Sequence, residues 1–163
     1  MSANEPHGVG RLEHDHVHLN RLVDNVRADV QSCLRGDLGV AELKQQLREF
    51  VDVAQDELLE HFDVEESGLF PYIGDVFPDQ GPVIEKLELA HDRMCGVLSR
   101  LDRATESDLE SFEAQLDTII AFFARFDANF VQHARDEAEL LRAIASRLTS
   151  EQRQEVDRLL AEI

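Results

Sequence analysis

Four of the seven histidines in this chain, His16, His61, His91 and His133, stand on the apolar stripes of four separate helical segments. Two of them are followed four residues later by a glutamate, giving His61-x-x-x-Glu65 and His133-x-x-x-Glu137. Four residues along an α-helix turn through about 400°, so each pair shares a face, and that face turns inward with its stripe. An ionised glutamate in a dry core is costly unless it is paired or bound to a metal, and no arginine or lysine stands on the stripes beside it. A cation is the partner that the pattern calls for. Neutral imidazole with carboxylate suits iron, manganese and zinc; thiolate-rich sites favour softer metals and oxygen-only sites calcium or magnesium. Helical bundles that bind two metals use inward His and Glu side chains one turn apart, with carboxylates bridging the ions. On that logic Glu65 and Glu137 bridge while the four histidines cap the two ions. That leaves room for an oxo, hydroxo or exogenous ligand, and an open position is what makes a metal reactive rather than structural.

Helices must carry these side chains, and the sequence supplies them. Apolar residues recur at three and four rather than alternating, and Leu, Ala, Glu, Arg and Gln dominate, so the chain reads as all-α. A first helix is expected from about Val9 to Leu34, with Leu12, His16, Leu19, Val23, Val26 and Val30 on one stripe and a stop at Arg35-Gly36-Asp37. A second starts near Val40 and carries Leu43, Leu47, Phe50, Ala54, Leu58, His61 and Glu65; it should break near Ser67-Gly68, with Pro71 marking the end. The stretch from Leu69 to Pro78 is apolar but irregular and is expected to fold over one end of the molecule. A third helix, about Pro82 to Ala104, carries Val83, Leu87, His91, Met94, Leu98 and Leu101, and Thr105 and Ser107 mark a short turn. The fourth, about Asp108 to Leu148, holds Phe112, Leu116, Ile119, Phe123, Phe126, Phe130, His133, Glu137, Leu140 and Ile144 in one unbroken register. A short amphipathic helix after Ser150, with Val156, Leu159, Leu160 and Ile163 apolar, should pack on the outside.

Four long helices joined by short turns predict an antiparallel up-down-up-down four-helix bundle with interaxial angles of about 20°. The expected organisation is a flexible tail over residues 1–8, the bundle over 9–148 and the short C-terminal helix over 149–163. In that threading the four histidines converge at one end of the bundle.

The 163 residues suit one domain, and the formal charge of −18, from 34 acidic against 16 basic residues, repels phosphate backbones and anionic headgroups. Nucleic acid and membranes are therefore excluded as expected partners. No apolar run approaches the roughly 18 residues of a membrane span, and the first eight residues lack the features of a secretory leader. A cytoplasmic protein is expected. Cys33 and Cys95 lie far apart with no zinc-type spacing, which fits reduced thiols.

The chain resembles the hemerythrin and hemerythrin-like (HHE cation-binding) family from about residue 10 to 145. The resemblance is carried by His16-x-x-Leu19, by His61-Phe62-x-x-Glu65-Glu66-x-x-Leu69-Phe70-Pro71, by a mid-chain His91 and by His133-x-x-x-Glu137. It implies a four-helix bundle around a non-haem di-iron centre, two iron ions with an oxo or hydroxo bridge, ligated by His16, His61, Glu65, His91, His133 and Glu137. The chain departs from the oxygen-carrying members twice. Their third helix has two histidines one turn apart, where this one has Leu87 and Cys95 around His91. Their last carboxylate is an aspartate one residue further along than Glu137. These departures turn the expectation from reversible oxygen carriage toward the members linked to oxygen or redox sensing, to nitric-oxide or peroxide reactions, and to repair of iron centres.

Taken singly, a histidine on an apolar stripe is most simply a hydrogen-bonded core residue, and the phenylalanines of the fourth helix are most simply core. Four histidines in register with two glutamates are not explained that way. His14 and His18, one turn apart, fall on the flank of the first stripe, where a solvated or rim role is expected, although helix rotation leaves either as an alternative to His16. Tyr72 and Cys95 are expected to pack, with a redox role near the metal as the alternative. The leading functional expectation is a di-iron protein that binds or reduces a small diatomic or peroxide ligand as sensor or scavenger. The alternatives are a non-enzymatic iron-sensing or storage module acting through a protein partner, and a purely structural bundle.

Overall fold

The structure, a computed structural model, describes the backbone of residues 7–162 and the side chains of residues 18–162. Among these residues all regular structure is helical and no strand occurs. The order is α1 (His7–Leu34), α2 (Val40–Val64), a π-helical turn (Glu65–Leu69), α3 (Phe70–Val76), a 3₁₀ turn (Pro78–Gln80), α4 (Gly81–Glu106), α5 (Leu109–Ala114), α6 (Leu116–Ala145) and α7 (Ser150–Leu160). The expected tail over residues 1–8 lies outside the described residues as far as residue 6; His7 and Gly8 already belong to α1.

α1 stops where Gly36 takes a φ of +81°, a conformation costly for any residue with a Cβ. The turn lets the N–H groups of Asp37 and Leu38 donate to the Ser32 carbonyl at 2.8 and 3.2 Å, so the helix end is satisfied.

The break expected at Ser67-Gly68 does not occur. Val64, Glu65, Leu69 and Phe70 all keep right-handed helical backbone, and the Phe70 N–H donates to the Glu65 carbonyl five residues back. In an uninterrupted α-helix the ring of Pro71 would meet the carbonyl four residues earlier; the wider turn accommodates it, and Pro71 sits in the first turn of α3. Gly68 has a packing reason instead: a Cβ there would come within 3.2 Å of Leu159 Cδ2 on α7. The apolar stretch that follows is helical rather than irregular, and it buries Leu69, Phe70, Ile73 and Phe77. Arg147 fastens it with two hydrogen bonds to Asp79, at 2.7 and 2.9 Å, and lies over the Phe77 ring.

Two further boundaries differ from expectation. Thr105 stays inside α4, buried, with its hydroxyl donating to the Leu101 carbonyl at 2.9 Å, so the turn begins only at Ser107. The fourth helix is interrupted at Gln115 (φ −107°, ψ 15°): the Asp108 side chain caps the short α5, which packs on α2 and buries Phe112, before α6 resumes. In α4 the deeper apolar residue of the first turn is Ile84; Val83 is only partly buried. α7 opens on a capping box between Thr149 and Gln152 and packs on α1 and the π turn, burying Val156, Leu159 and Leu160; Ile163 lies outside the described residues.

The core has two apolar clusters. One joins Leu19 to Val30 of α1, Leu43 to Phe62 of α2, Met94 to Leu101 of α4 and Ile119 to Phe130 of α6, with Phe50 edge-on to Phe126 at 5.3 Å. The other joins Leu69, Phe70, Ile73 and Phe77 to Ile84, Leu87, Leu140, Ile144, Val156 and Leu160. Burying each such Leu or Phe contributes about 1.5–3 kcal/mol. Each long inner helix crosses from one cluster to the other through buried polar residues. On α2 and the π turn the order is Leu58, His61, Glu65, Leu69; on α4 it is Leu87, His91, Met94; on α6 it is Phe130, His133, Glu137, Leu140. The histidines and glutamates thus form a polar layer between two dry ones.

Candidate metal centre

Glu65 is at the middle of the layer and is 0 % exposed. Its Oε1 lies 2.7 Å from His61 Nε2 and its Oε2 lies 3.0 Å from His91 Nε2, yet neither oxygen accepts a hydrogen bond of proper geometry. His91 Nε2 also faces His133 Nε2 at 2.6 Å, and His133 Nδ1 lies 3.6 Å from Glu137 Oε2. His61, His91, His133 and Glu137 are all buried, at 4 % exposure or less. Among the described residues two groups could hold a cation, Glu65 with His91 and His133, and His61 with Glu65 and Glu137. Within each group the ligand atoms lie within 4.8 Å of one another. Glu65 belongs to both.

The electrostatics show how poorly the layer suits free charge. Burial, reinforced by the neighbouring Glu137 and then by Glu66, pushes the Glu65 carboxyl well above the ordinary carboxylate range. Burial lowers His91 to about 4, with Glu137 acting the other way and His61 adding to the fall, so at neutral pH its imidazole is uncharged. Uncharged imidazole is the form that ligates a metal. A fully buried carboxylate that accepts no hydrogen bond, ringed by inward nitrogens, is a donor set that fits a nitrogen- and oxygen-preferring divalent cation.

Of the six residues read from the sequence, the structure brings His61, Glu65, His91, His133 and Glu137 into this layer. The side chains of His16 and of His14, one of its two alternatives, lie outside the described residues; the backbone of His16 is on α1, one turn before the buried Leu19. His18, the other alternative on that helix, points elsewhere: it is exposed, with Nδ1 3.0 Å from Glu57. Cys95 is half-buried against the larger cluster, and burial pushes its thiol up, which suits packing rather than reactivity. Tyr72 packs on the other cluster and feels Glu155 of α7.

Three participants were given no role by the sequence: Glu66, Phe62 and Phe70. Glu66, 40 % exposed, places Oε1 2.7 Å from His91 Nδ1. Phe62 stacks on the His91 ring with centroids 3.7 Å apart and planes 12° apart, and Phe70 lies nearly parallel to it at 5.7 Å. The doubled glutamate was visible in the sequence, but a role for its second member depends on the rotation of His91, which spacing along another helix does not reveal.

The family model described as the hemerythrin HHE cation binding domain matches residues 7–145, which includes every residue of the layer. Comparison with curated proteins and with solved structures gives no match.

Proposed function

The chain belongs to the hemerythrin HHE cation-binding family, and from that premise we propose that its polar layer holds two iron ions as a non-haem di-iron centre. The observation that carries this reading is the sharing of Glu65 between the two ligand groups, one oxygen toward His61 and the other toward His91. A carboxylate so placed suits a bridge between two ions. His91 and His133 would serve one ion and His61 with Glu137 the other, with His16 as the further ligand from α1.

The order of the two apolar clusters supports the threading that this requires. α2 runs from the larger to the smaller, α4 from the smaller to the larger, and α6 again from the larger to the smaller. α1 packs on α2 and α6, and α4 packs on both α2 and α6. This pattern supports an antiparallel four-helix bundle.

Bound iron would supply Lewis acidity and electrons to a small ligand such as oxygen, nitric oxide or peroxide. The chain's own residues set the conditions. Phe62 and Phe70 flank His91, and the apolar clusters above and below the layer keep bulk water from it. Leu87, fully buried next to the layer, stands one turn before His91 where a further histidine would add a ligand, so the centre is expected to keep an open position. An open position between dry walls suits a sensor or scavenger of small molecules.

The test is to load the metal-free protein anaerobically with iron(II), count the bound iron, and record the ultraviolet-visible spectrum before and after admitting oxygen. About two irons per chain with new charge-transfer bands are expected. Little bound iron and no bands would overturn the reading, and the same titration with zinc would then tell whether the layer holds another cation.

A further inference from the structure

We propose that Glu66 is a positioning residue for the centre: its carboxylate holds the His91 ring proton on Nδ1 and so turns the lone pair of Nε2 toward Glu65 and His133. The inference rests on reading the layer as a metal centre and deepens it by naming a residue outside both ligand groups.

His91 Nδ1 and Glu66 Oε1 are 2.7 Å apart. An ionised carboxylate only accepts, so the proton in this bond belongs to Nδ1. A neutral imidazole carries one N–H, and Nε2 is left with its lone pair. That nitrogen is the one facing Glu65 Oε2 at 3.0 Å and His133 Nε2 at 2.6 Å. Glu66 therefore selects, of the two tautomers, the one in which the inward nitrogen can ligate.

The π turn makes the arrangement possible. Glu65 and Glu66 are consecutive within it, and they reach the same imidazole at its two different nitrogens. Phe62, stacked on the ring at 3.7 Å, fixes its plane, so the hydrogen bond and the stack together leave the ring little freedom. Glu66 itself is 40 % exposed, and its replacement leaves no cavity in the core. A carboxylate behind a ligating histidine also makes the ligand more basic, and loss of such a partner typically weakens metal binding by about 10–100-fold.

The experiment uses the full chain as wild type, Glu66→Ala and Glu66→Gln, with ¹⁵N NMR of the His91 imidazole in metal-free protein and zinc titration of each variant. In the wild type, Nδ1 is expected to carry the proton in both states. In Glu66→Ala the metal-free ring is expected to populate both tautomers, and zinc affinity to fall by about tenfold or more. Glu66→Gln keeps an acceptor without the charge, so it should keep the wild-type tautomer with an affinity between the other two. If Glu66→Ala loses its fold by circular dichroism, Glu66→Leu removes the acceptor while keeping side-chain bulk and is expected to behave as Ala would. A His91 tautomer and zinc affinity unchanged on removal of the acceptor overturn the proposal alone. A wild type that takes up neither zinc nor iron overturns the metal reading and the proposal with it.

Discussion

The Nε2 atoms of His91 and His133 face one another at 2.6 Å. Two ring nitrogens that close need a proton between them or a cation beside them, since two bare lone pairs repel. With the His91 proton held on Nδ1, the shared proton in the metal-free chain comes from His133. A metal ion and this hydrogen bond compete for the lone pair of His91 Nε2, so metal uptake requires the proton between the rings to move.

Glu65 sets the direction of that linkage. Its carboxyl, raised by burial and by Glu137, must lose a proton before it can bridge. Below the folded value of Glu65, zinc or iron(II) uptake is therefore expected to release a proton, and affinity to rise with pH by up to about tenfold per unit for each proton released. Calorimetric titration in two buffers of different ionisation heat checks it. Equal heats in both, with an affinity indifferent to pH, would show that no carboxyl proton is displaced.

The same residue makes the metal-free protein sensitive to alkali. Because the folded value lies above the unfolded one, the contribution of Glu65 is fully present below the ordinary glutamate pKa and is lost as pH rises through the folded value. His91, lowered to about 4, has the opposite sign: its contribution is present above about pH 6.5 and is lost as pH falls toward 4. Metal-free protein is expected to melt progressively lower as pH rises from the ordinary glutamate range through the folded value of Glu65. Glu65→Gln should flatten that fall and, above the folded value of Glu65, recover about 1–3 kcal/mol while weakening cation binding. Thermal melts of both proteins across pH decide it; a Glu65→Gln protein whose stability falls with rising pH as steeply as the wild type's speaks against a buried charge there.

Gly36 offers a test confined to the backbone. Nothing lies within 4 Å of where its Cβ would be, so Gly36→Ala meets no clash and costs only the left-handed conformation, about 1–2 kcal/mol. Metal content should not change. Urea denaturation measures the loss, and no loss would mean that the α1 terminus relaxes into another turn.

Arg27 ties α1 to α6 through two hydrogen bonds to Asp127, at 2.6 and 2.9 Å. The arginine is 47 % exposed, so solvent screening holds the pair to roughly 1 kcal/mol or less. Asp127→Asn is expected to lower stability by that amount at low salt and by less in molar salt. A loss that does not shrink with salt would assign the contact to packing rather than charge.

Much of this arrangement was legible from side-chain periodicity. The stripe from Leu43 to Leu58 and the one from Ile119 to Ile144 are buried as their spacing predicts, because apolar transfer acts on whole faces and a face is a property of the sequence. What stayed hidden were features in which local chemistry and backbone part company. Gly68 and Pro71 are helix breakers by propensity, yet packing against Leu159 explains the first and a widened turn accommodates the second. The interruption at Gln115 falls between Phe112 and Leu116, which keep helical spacing across it, so the stripe alone cannot show it. In the site, the inward residues of α2, α4 and α6 could be read from phase, whereas the grip of Glu66 on His91 depends on how two helices face each other.

The π turn also has a consequence for how this chain can change by insertion and deletion. Its hydrogen bond spans one residue more than an α-helical one, so Glu65–Leu69 acts as a one-residue insertion absorbed within a continuous helix. The phase of His61 and Glu65 is thereby uncoupled from the phase of Phe70, Ile73 and Phe77. Removing Ser67 would restore uninterrupted α-helical phase and turn everything downstream by about 100° relative to the ligand pair. Two faces that one unbroken helix would lock together are free here to be set separately, one by the polar layer and the other by the apolar cover above it.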